Sequence, residues 1–188
     1  MKETICRFIL LKLWGWRIET PYPNEAAPRS VIMIIQHTSN WDFPIGILLR
    51  PILHFESHFV GKNSLFFFPL GLLMRALGGV PVDRSKHNNF VDAAADLFSD
   101  KNKKFQLTMT PEGTRSKVTS LKSGFYFVAL KAGVPIVPIK FDWGKMVIGC
   151  GEPFMPTGDY DADLPKLLAY FKGVRGKNPE NDYVFDGY

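Results

Sequence analysis

Residues 31–36, VIMIIQ, form an unbroken apolar run in which Val and Ile dominate. A run of this kind is typical of a strand that is buried on both faces of a sheet. Between Trp41 and Leu49 the apolar residues take the spacing of a helix instead. These segments predict a buried strand that leads, through a short polar loop, into a helix.

Extended and helical segments alternate along the rest of the chain. This alternation is typical of an α/β sheet with helices on both faces. Two prolines in residues 134–141 indicate an edge or end position for that strand, and Gly133 is expected to end the helix before it. The further predicted strands are residues 57–62, 78–84, 104–109, 134–141 and 146–150, and the further predicted helices are residues 64–77, 87–100, 121–132 and 161–172.

Composition limits the class of protein. A chain of 188 residues suits one domain. The net charge of +5 fits an anionic partner, such as nucleic acid, an acidic membrane surface or a phosphorylated small molecule, but it also fits a plain solvated basic surface. A stripe of basic and stacking aromatic residues is missing, so no nucleic acid is expected as a partner. Two cysteines form no disulfide framework, which favours a reducing compartment.

The N-terminal residues 1–18 predict a helix with two Trp and scattered basic residues. Such a helix suits the headgroup layer of a membrane, or else it docks on the protein's own core. The longest uncharged apolar stretch, residues 63–74, rises only about 18 Å as a helix, against roughly 30 Å of hydrocarbon. We expect residues 1–30 to form a membrane-interface helix with a Pro-rich linker, and residues 31–188 to form the main domain.

His37 and Asp42 stand five positions apart in the polar loop QHTSNWD. On a regular helix this spacing keeps side chains apart. A His at the end of a strand and an Asp in the first turn of a helix can still meet across a tight loop. Asp42 would then orient the His37 ring, and the free ring nitrogen could take a proton from a substrate hydroxyl. The alternative is that Asp42 is only a helix-end acid.

A second polar cluster, TPEGTRS at residues 110–116, follows the strand at 104–109. Ligands of open α/β sheets bind at this edge. Arg115 and the turn amides suit phosphate oxygens, although a polar turn with an exposed salt pair would look the same. Arg84 and Lys62 are further cations that follow or end predicted strands. His54 and His58 supply only half of a metal site, so no metal is expected.

Taken together, these blocks resemble the glycerolipid and lysophospholipid acyltransferases related to bacterial 1-acylglycerol-3-phosphate acyltransferase. The resemblance covers about residues 31–140, and its blocks occur in the family's order. Thr110 and Pro81 depart from the family pattern, which leaves the headgroup and the acyl chain open. The blocks are HTSNWD at 37–42, GKNSLFFFP at 61–69, GGVPVDR at 78–84, PEGTRS at 111–116 and VPIVPI at 134–139.

The resemblance implies an α/β fold of the glycerol-phosphate acyltransferase type, a single mixed sheet flanked by helices with an N-terminal interfacial helix. It implies that His37 is a base on a lysolipid hydroxyl, that Asp42 orients it, and that acyl-CoA or acyl carrier protein donates the acyl group without any cofactor. The protein would lie peripherally on the cytoplasmic side of a membrane. By the same resemblance, the phosphate and acceptor site comprises Lys62, Arg84, Glu112, Gly113, Thr114 and Arg115.

Two alternatives remain open. In a thioester or ester hydrolase, His37 would activate water and release free fatty acid without an acceptor. A non-catalytic lysolipid-binding module would keep the fold and the phosphate site but show no turnover. A pure binding module has no need for a base oriented by an acid, so residues 36–42 favour an enzyme.

Overall fold

The computed structural model describes residues 2–62, 64, 66–82 and 87–185. Its strands are β1 (Arg17–Thr20), β2 (Arg29–Met33), β3 (Ser57–Lys62), β4 (Gly79–Val82), β5 (Phe105–Met109), β6 (Ile136–Asp142) and β7 (Val147–Cys150). Its α-helices are α1 (Lys2–Arg7), α2 (Asp42–Leu53), α3 (Leu70–Ala76), α4 (His87–Asp96), α5 (Gly124–Ala132) and α6 (Tyr160–Ala169). A π-helical stretch, Phe8–Leu13, continues α1, and a 3-10 turn covers Pro179–Asn181.

The strands form one seven-stranded sheet in the order β1-β7-β6-β2-β5-β3-β4. Every neighbouring pair is parallel except β6 and β7, which are antiparallel. The predicted single mixed sheet flanked by helices is therefore confirmed. In a parallel arrangement the loops that follow neighbouring strands leave from the same edge, which is where ligands of such sheets bind.

Strand β2 lies in the middle of the sheet and is buried on both faces, as its apolar run predicts. Val31 and Met33 belong to a core cluster with α5 and α6, while Ile32 and Ile34 belong to a second cluster with α2 and the N-terminal helix. Side chains alternate between the faces of a strand, so a strand covered on both sides needs apolar residues at every position.

The two prolines of residues 134–141 predicted an edge or end position, and the edge position is wrong, because β6 lies between β2 and β7. Pro138 is tolerated there by its place in the register. It is the last residue of β6 paired with β2, opposite Met33, and it stands one residue before Ile139, which begins the pairing with β7. Proline lacks an N–H, so the junction between two ladders is a place where it does little harm.

The N-terminal helix packs on the protein, and it also exposes apolar side chains. Leu10 is fully buried in the cluster that contains α2. Ile5, Phe8 and Leu13 are each more than half exposed. Strand β1, which the sequence did not predict, follows and pairs with β7, so residues 17–20 lie in the sheet. The division of the chain at residue 30 stays a prediction.

Within the described ranges, every helix is too short or too polar to cross a membrane.

The buried carboxylate of Asp163 makes the stability of the fold depend on pH. Its carboxylate is fully buried and accepts hydrogen bonds from Tyr126 Oη, Thr157 N and Thr157 Oγ1, each at 2.8 Å, and from Lys166 Nζ. Burial acts to raise the pKa of Asp163. These hydrogen bonds together outweigh that effect and lower the pKa to well below its usual range. A carboxyl with a lowered pKa stabilises the fold above its unfolded pKa and loses that contribution as the pH falls.

We therefore expect Asp163→Asn to lower the free energy of unfolding near neutral pH. The difference from wild type should stay constant from about pH 7 to about pH 5 and then shrink as the pH falls to about 2. Urea denaturation across this pH range measures it, with Asp161→Asn, an exposed acid of the same helix turn, as the matched control. Equal effects of both variants at every pH would contradict the assigned role of Asp163.

Candidate active site

The loop between β2 and α2 brings His37 and Asp42 together. His37 Nδ1 lies 2.8 Å from Asp42 Oδ2. The Asp42 side chain is 3% exposed and the His37 side chain is 16% exposed, so the acid is enclosed while the base reaches the surface. A carboxylate only accepts hydrogen bonds, so His37 Nδ1 must donate, which leaves Nε2 with its lone pair. This is the geometry of an oriented general base.

The second oxygen of Asp42 has its own donor. Trp143 Nε1 donates to Asp42 Oδ1 at 2.8 Å. The sequence analysis missed Trp143, because it lies 101 residues from Asp42 and in no recognised block. Both oxygens of this buried carboxylate are therefore hydrogen-bonded by ring nitrogens.

Glu112 holds the backbone of the His37 loop. Its Oε1 accepts hydrogen bonds from Gln36 N at 2.7 Å and from His37 N at 3.2 Å. The side chain is 6% exposed, and burial raises the pKa of Glu112 although the two loop amides act in the opposite direction. Among the described residues, the buried Oε2 has no hydrogen-bond partner. The observed contacts of Glu112 thus support the loop, while its predicted part in substrate binding stays a prediction.

The turn at residues 110–116 places three further predicted residues at the same edge. Gly113 has a φ of +65°, a left-handed conformation that favours glycine. Thr114 and Arg115 are exposed. Lys122, a cation that the sequence analysis missed, folds back over the turn, and its Nζ would lie 2.7 Å from a Cβ placed on Gly113. The turn therefore combines two exposed cations with a hydroxyl.

The remaining two predicted cations are Lys62 and Arg84. Lys62 ends β3, which pairs with β5, so its backbone lies at this edge of the sheet. Arg84 lies outside the described residues. The predicted roles of both stay predictions.

The C-terminal residues, which the sequence analysis left without a role, lie against the loop. Asn178 donates from N to Thr38 Oγ1 at 3.0 Å and from Nδ2 to Thr38 O at 2.8 Å. The Gln36 side chain exchanges two hydrogen bonds with the Tyr183 backbone, at 2.7 and 3.1 Å. The loop is therefore hydrogen-bonded both to Glu112 and to the C-terminal segment.

Part of the chain matches a known protein family. A family model named Acyltransferase matches residues 20–142 of the chain. The chain belongs to the acyltransferase family. The matched region contains His37, Asp42 and Glu112, and it ends one residue before Trp143. This acyltransferase thus holds its Asp42 carboxylate with a residue from outside the matched region.

Individual proteins similar to this chain are also named as acyltransferases. The chain is 29% identical over 182 residues to the 1-acyl-sn-glycerol-3-phosphate acyltransferase of Haemophilus influenzae, covering 86% of this chain and 73% of that protein. It is 31% identical over 136 residues to the Escherichia coli protein of that name, covering 69% of this chain and 54% of that protein. The aligned part is thus about half of the Escherichia coli protein.

A solved structure shares the fold. The crystal structure of the 1-acyl-sn-glycerophosphate acyltransferase PlsC from Thermotoga maritima matches with a TM-score of 0.60 and 24% identity. The match covers 90% of this chain and 74% of that chain. The predicted family and fold class are therefore confirmed.

Glu112 provides a test of how the loop is held. Removing a buried acceptor costs about 1–3 kcal/mol, so Glu112→Ala should speed amide hydrogen exchange at Gln36 and His37 by about tenfold to a hundredfold. Glu112→Gln keeps an uncharged oxygen acceptor. Its exchange rates at Gln36 and His37 should therefore lie between those of the wild type and those of Glu112→Ala. NMR-detected exchange measures both, with the Thr157 amide as an unaffected reference. Equal protection in all three proteins would show that Glu112 does not hold the loop.

Proposed function

We propose that this acyltransferase transfers a fatty acyl group from a thioester to a hydroxyl of 1-acylglycerol-3-phosphate or a related lysophospholipid. The acyl donor is acyl-CoA or acyl carrier protein. The observation that carries the proposal is the 2.8 Å contact between His37 Nδ1 and the buried Asp42 carboxylate. The names of the Haemophilus influenzae and Escherichia coli relatives support the choice of acceptor.

In the proposed reaction, His37 Nε2 takes the proton of the acceptor hydroxyl while the hydroxyl oxygen attacks the thioester carbonyl carbon. The tetrahedral intermediate then expels the thiolate of the donor, which takes the proton from the imidazolium. An ester bond forms, a thioester bond breaks, and His37 returns to its neutral form. Asp42 stabilises the imidazolium between these steps. General-base assistance of this kind contributes about 10²–10⁴-fold to the rate.

The anionic headgroup of the acceptor fits the cations at this edge of the sheet. Arg115 is exposed on the turn after β5, and Lys122 lies over Gly113 of that turn. A guanidinium presents a planar set of donors that matches phosphate oxygens. In the proposal Arg115, with Thr114, Lys62 and Arg84, binds the phosphate.

The proposed location is the cytoplasmic face of a membrane, with the protein bound peripherally. Trp14, at the end of the N-terminal helix, makes an edge contact with Trp41 of the catalytic loop, with ring centroids 5.9 Å apart. Trp41 is 52% exposed, and the same helix exposes Phe8 and Leu13. Exposed aromatic and apolar side chains of this kind suit the interfacial layer of a bilayer. A lipid acceptor could then reach His37 from the membrane.

His37→Ala tests the proposed reaction directly. Transfer of a labelled acyl group from acyl-CoA and from acyl carrier protein to a panel of lysolipids should fall by about 10²–10⁴-fold. His54→Ala, an exposed histidine paired with Glu3, is the matched control and should keep wild-type activity.

Two outcomes would contradict the proposal. Release of free fatty acid without an acceptor would identify a hydrolase. Retained lysolipid binding without turnover on any donor would identify a binding module.

Arg115→Ala tests the headgroup site. We expect it to lower kcat/KM for 1-acylglycerol-3-phosphate by about tenfold or more, since a charge-assisted hydrogen bond is worth about 1.5–3 kcal/mol. Turnover of a monoacylglycerol, which has no phosphate, should change little. Lys117→Ala, which changes an exposed cation just after the turn, is the control. An equal loss on both acceptors would exclude phosphate recognition by Arg115.

A further inference from the structure

Trp143 is the first residue after β6, and its indole reaches back to the catalytic loop. The Nε1–H donates to Asp42 Oδ1 at 2.8 Å, while His37 contacts the other carboxylate oxygen at 2.8 Å. Each oxygen of a nearly fully buried carboxylate therefore has a ring N–H donor. Because both oxygens are hydrogen-bonded, the orientation of the carboxylate plane is fixed. The orientation of the plane in turn fixes the direction of the hydrogen bond from His37 Nδ1.

The chemistry of an indole restricts what Trp143 can do here. Its N–H is a donor only, and the indole neither takes up nor loses a proton to become charged at ordinary pH. It therefore takes no part in the proton transfer, and it leaves Asp42 an acceptor toward His37. Asp42 then holds the proton of His37 on Nδ1, so Nε2 remains the basic nitrogen. Positioning, and not proton relay, is the role that this contact supports.

The indole is itself held by residues from two distant parts of the chain. The Trp143 backbone N donates to Arg175 O at 2.9 Å. Trp16, which is 2% exposed, packs its edge against the ring at a centroid distance of 5.0 Å. Lys177 places its ammonium 4.3 Å from the ring centroid, a favourable cation–π distance. Asn178, the next residue, binds Thr38 of the loop.

We propose that Trp143 is a positioning residue for the His37–Asp42 base, and that residues 175–178 keep it in place. The proposal rests on the proposed function, because it assigns Trp143 to the base used there. The family match stops at residue 142. The positioning therefore comes from a part of this chain that lies outside the family match.

Trp143→Phe removes the N–H and keeps an aromatic ring. We expect kcat for acyl transfer to fall by about tenfold to a hundredfold, because small losses of alignment have effects of this size. KM should stay within about twofold, since in this proposal the indole holds Asp42 and does not bind the substrate. Nitrogen-15 NMR of the His37 ring should show one Nδ1–H tautomer in the wild type and a mixture in the variant.

Tyr126→Phe is the matched control. Tyr126 Oη donates to the buried Asp163 carboxylate at 2.8 Å in the other core cluster, so the change also removes one ring-borne donor from a buried acid. We expect Tyr126→Phe to lower the thermal stability while kcat and the His37 signals stay as in the wild type. An equal loss of kcat in the two variants would overturn the proposal, because it would trace the loss to stability alone.

The remaining outcomes separate this proposal from the proposed function. If His37→Ala abolishes transfer while Trp143→Phe keeps the wild-type kcat, the positioning role is overturned and the proposed function stands. A raised KM at unchanged kcat would overturn it as well, because the indole would then bind substrate. If the wild type transfers no acyl group, the His37 signals decide, and identical spectra of wild type and Trp143→Phe overturn the positioning role.

If Trp143→Phe does not fold, Lys177→Met takes its place, since it changes only an exposed side chain over the rings of Trp143 and Trp41. The proposal expects a several-fold lower kcat, with a shifted tautomer mixture at His37. An unchanged kcat together with unchanged His37 signals would overturn it.

Discussion

The parallel pairing of β2 with β5 determines which loops can meet. Met33 lies opposite Met109 at the ends of these strands, so the loops that follow both leave from one edge of the sheet. This is why Glu112, three residues beyond β5, can accept hydrogen bonds from the amides of Gln36 and His37. The placement of His37 relative to the turn at residues 110–116 follows from this register.

Two buried carboxyl groups of this protein have pKa values shifted in opposite directions, because they differ in their hydrogen bonds. Asp163 accepts four hydrogen bonds, and its pKa is lowered although it is fully buried. Glu112 has a raised pKa, and one of its oxygens has no partner among the described residues. Leaving a buried acceptor unpaired costs stability. Asp163 thus stabilises the core, whereas the hydrogen bonds of Glu112 to the His37 loop offset only part of the effect of its burial.

Local pattern was enough to predict β2, β3, the end of α5 at Gly133 and the meeting of His37 with Asp42. Those features depend on residues close in the chain. The interior position of β6 was not predictable from its prolines, because the tolerance of Pro138 depends on where two neighbouring ladders end. Trp143, 101 residues from Asp42, leaves no periodic signal, since a single side-chain contact between distant segments has no local spacing.

The site also brings two kinds of surface together at one residue. Trp41 contacts Trp14 of the apolar N-terminal helix, with ring centroids 5.9 Å apart. Lys177 of the C-terminal segment lies 5.9 Å from the ring of the same Trp41. The loop that carries His37 is thus bordered by apolar side chains from the beginning of the chain and by a cation from its end. A lysophospholipid has the same division, an apolar tail and an anionic head, so the two borders support the proposal that the acceptor hydroxyl binds between them.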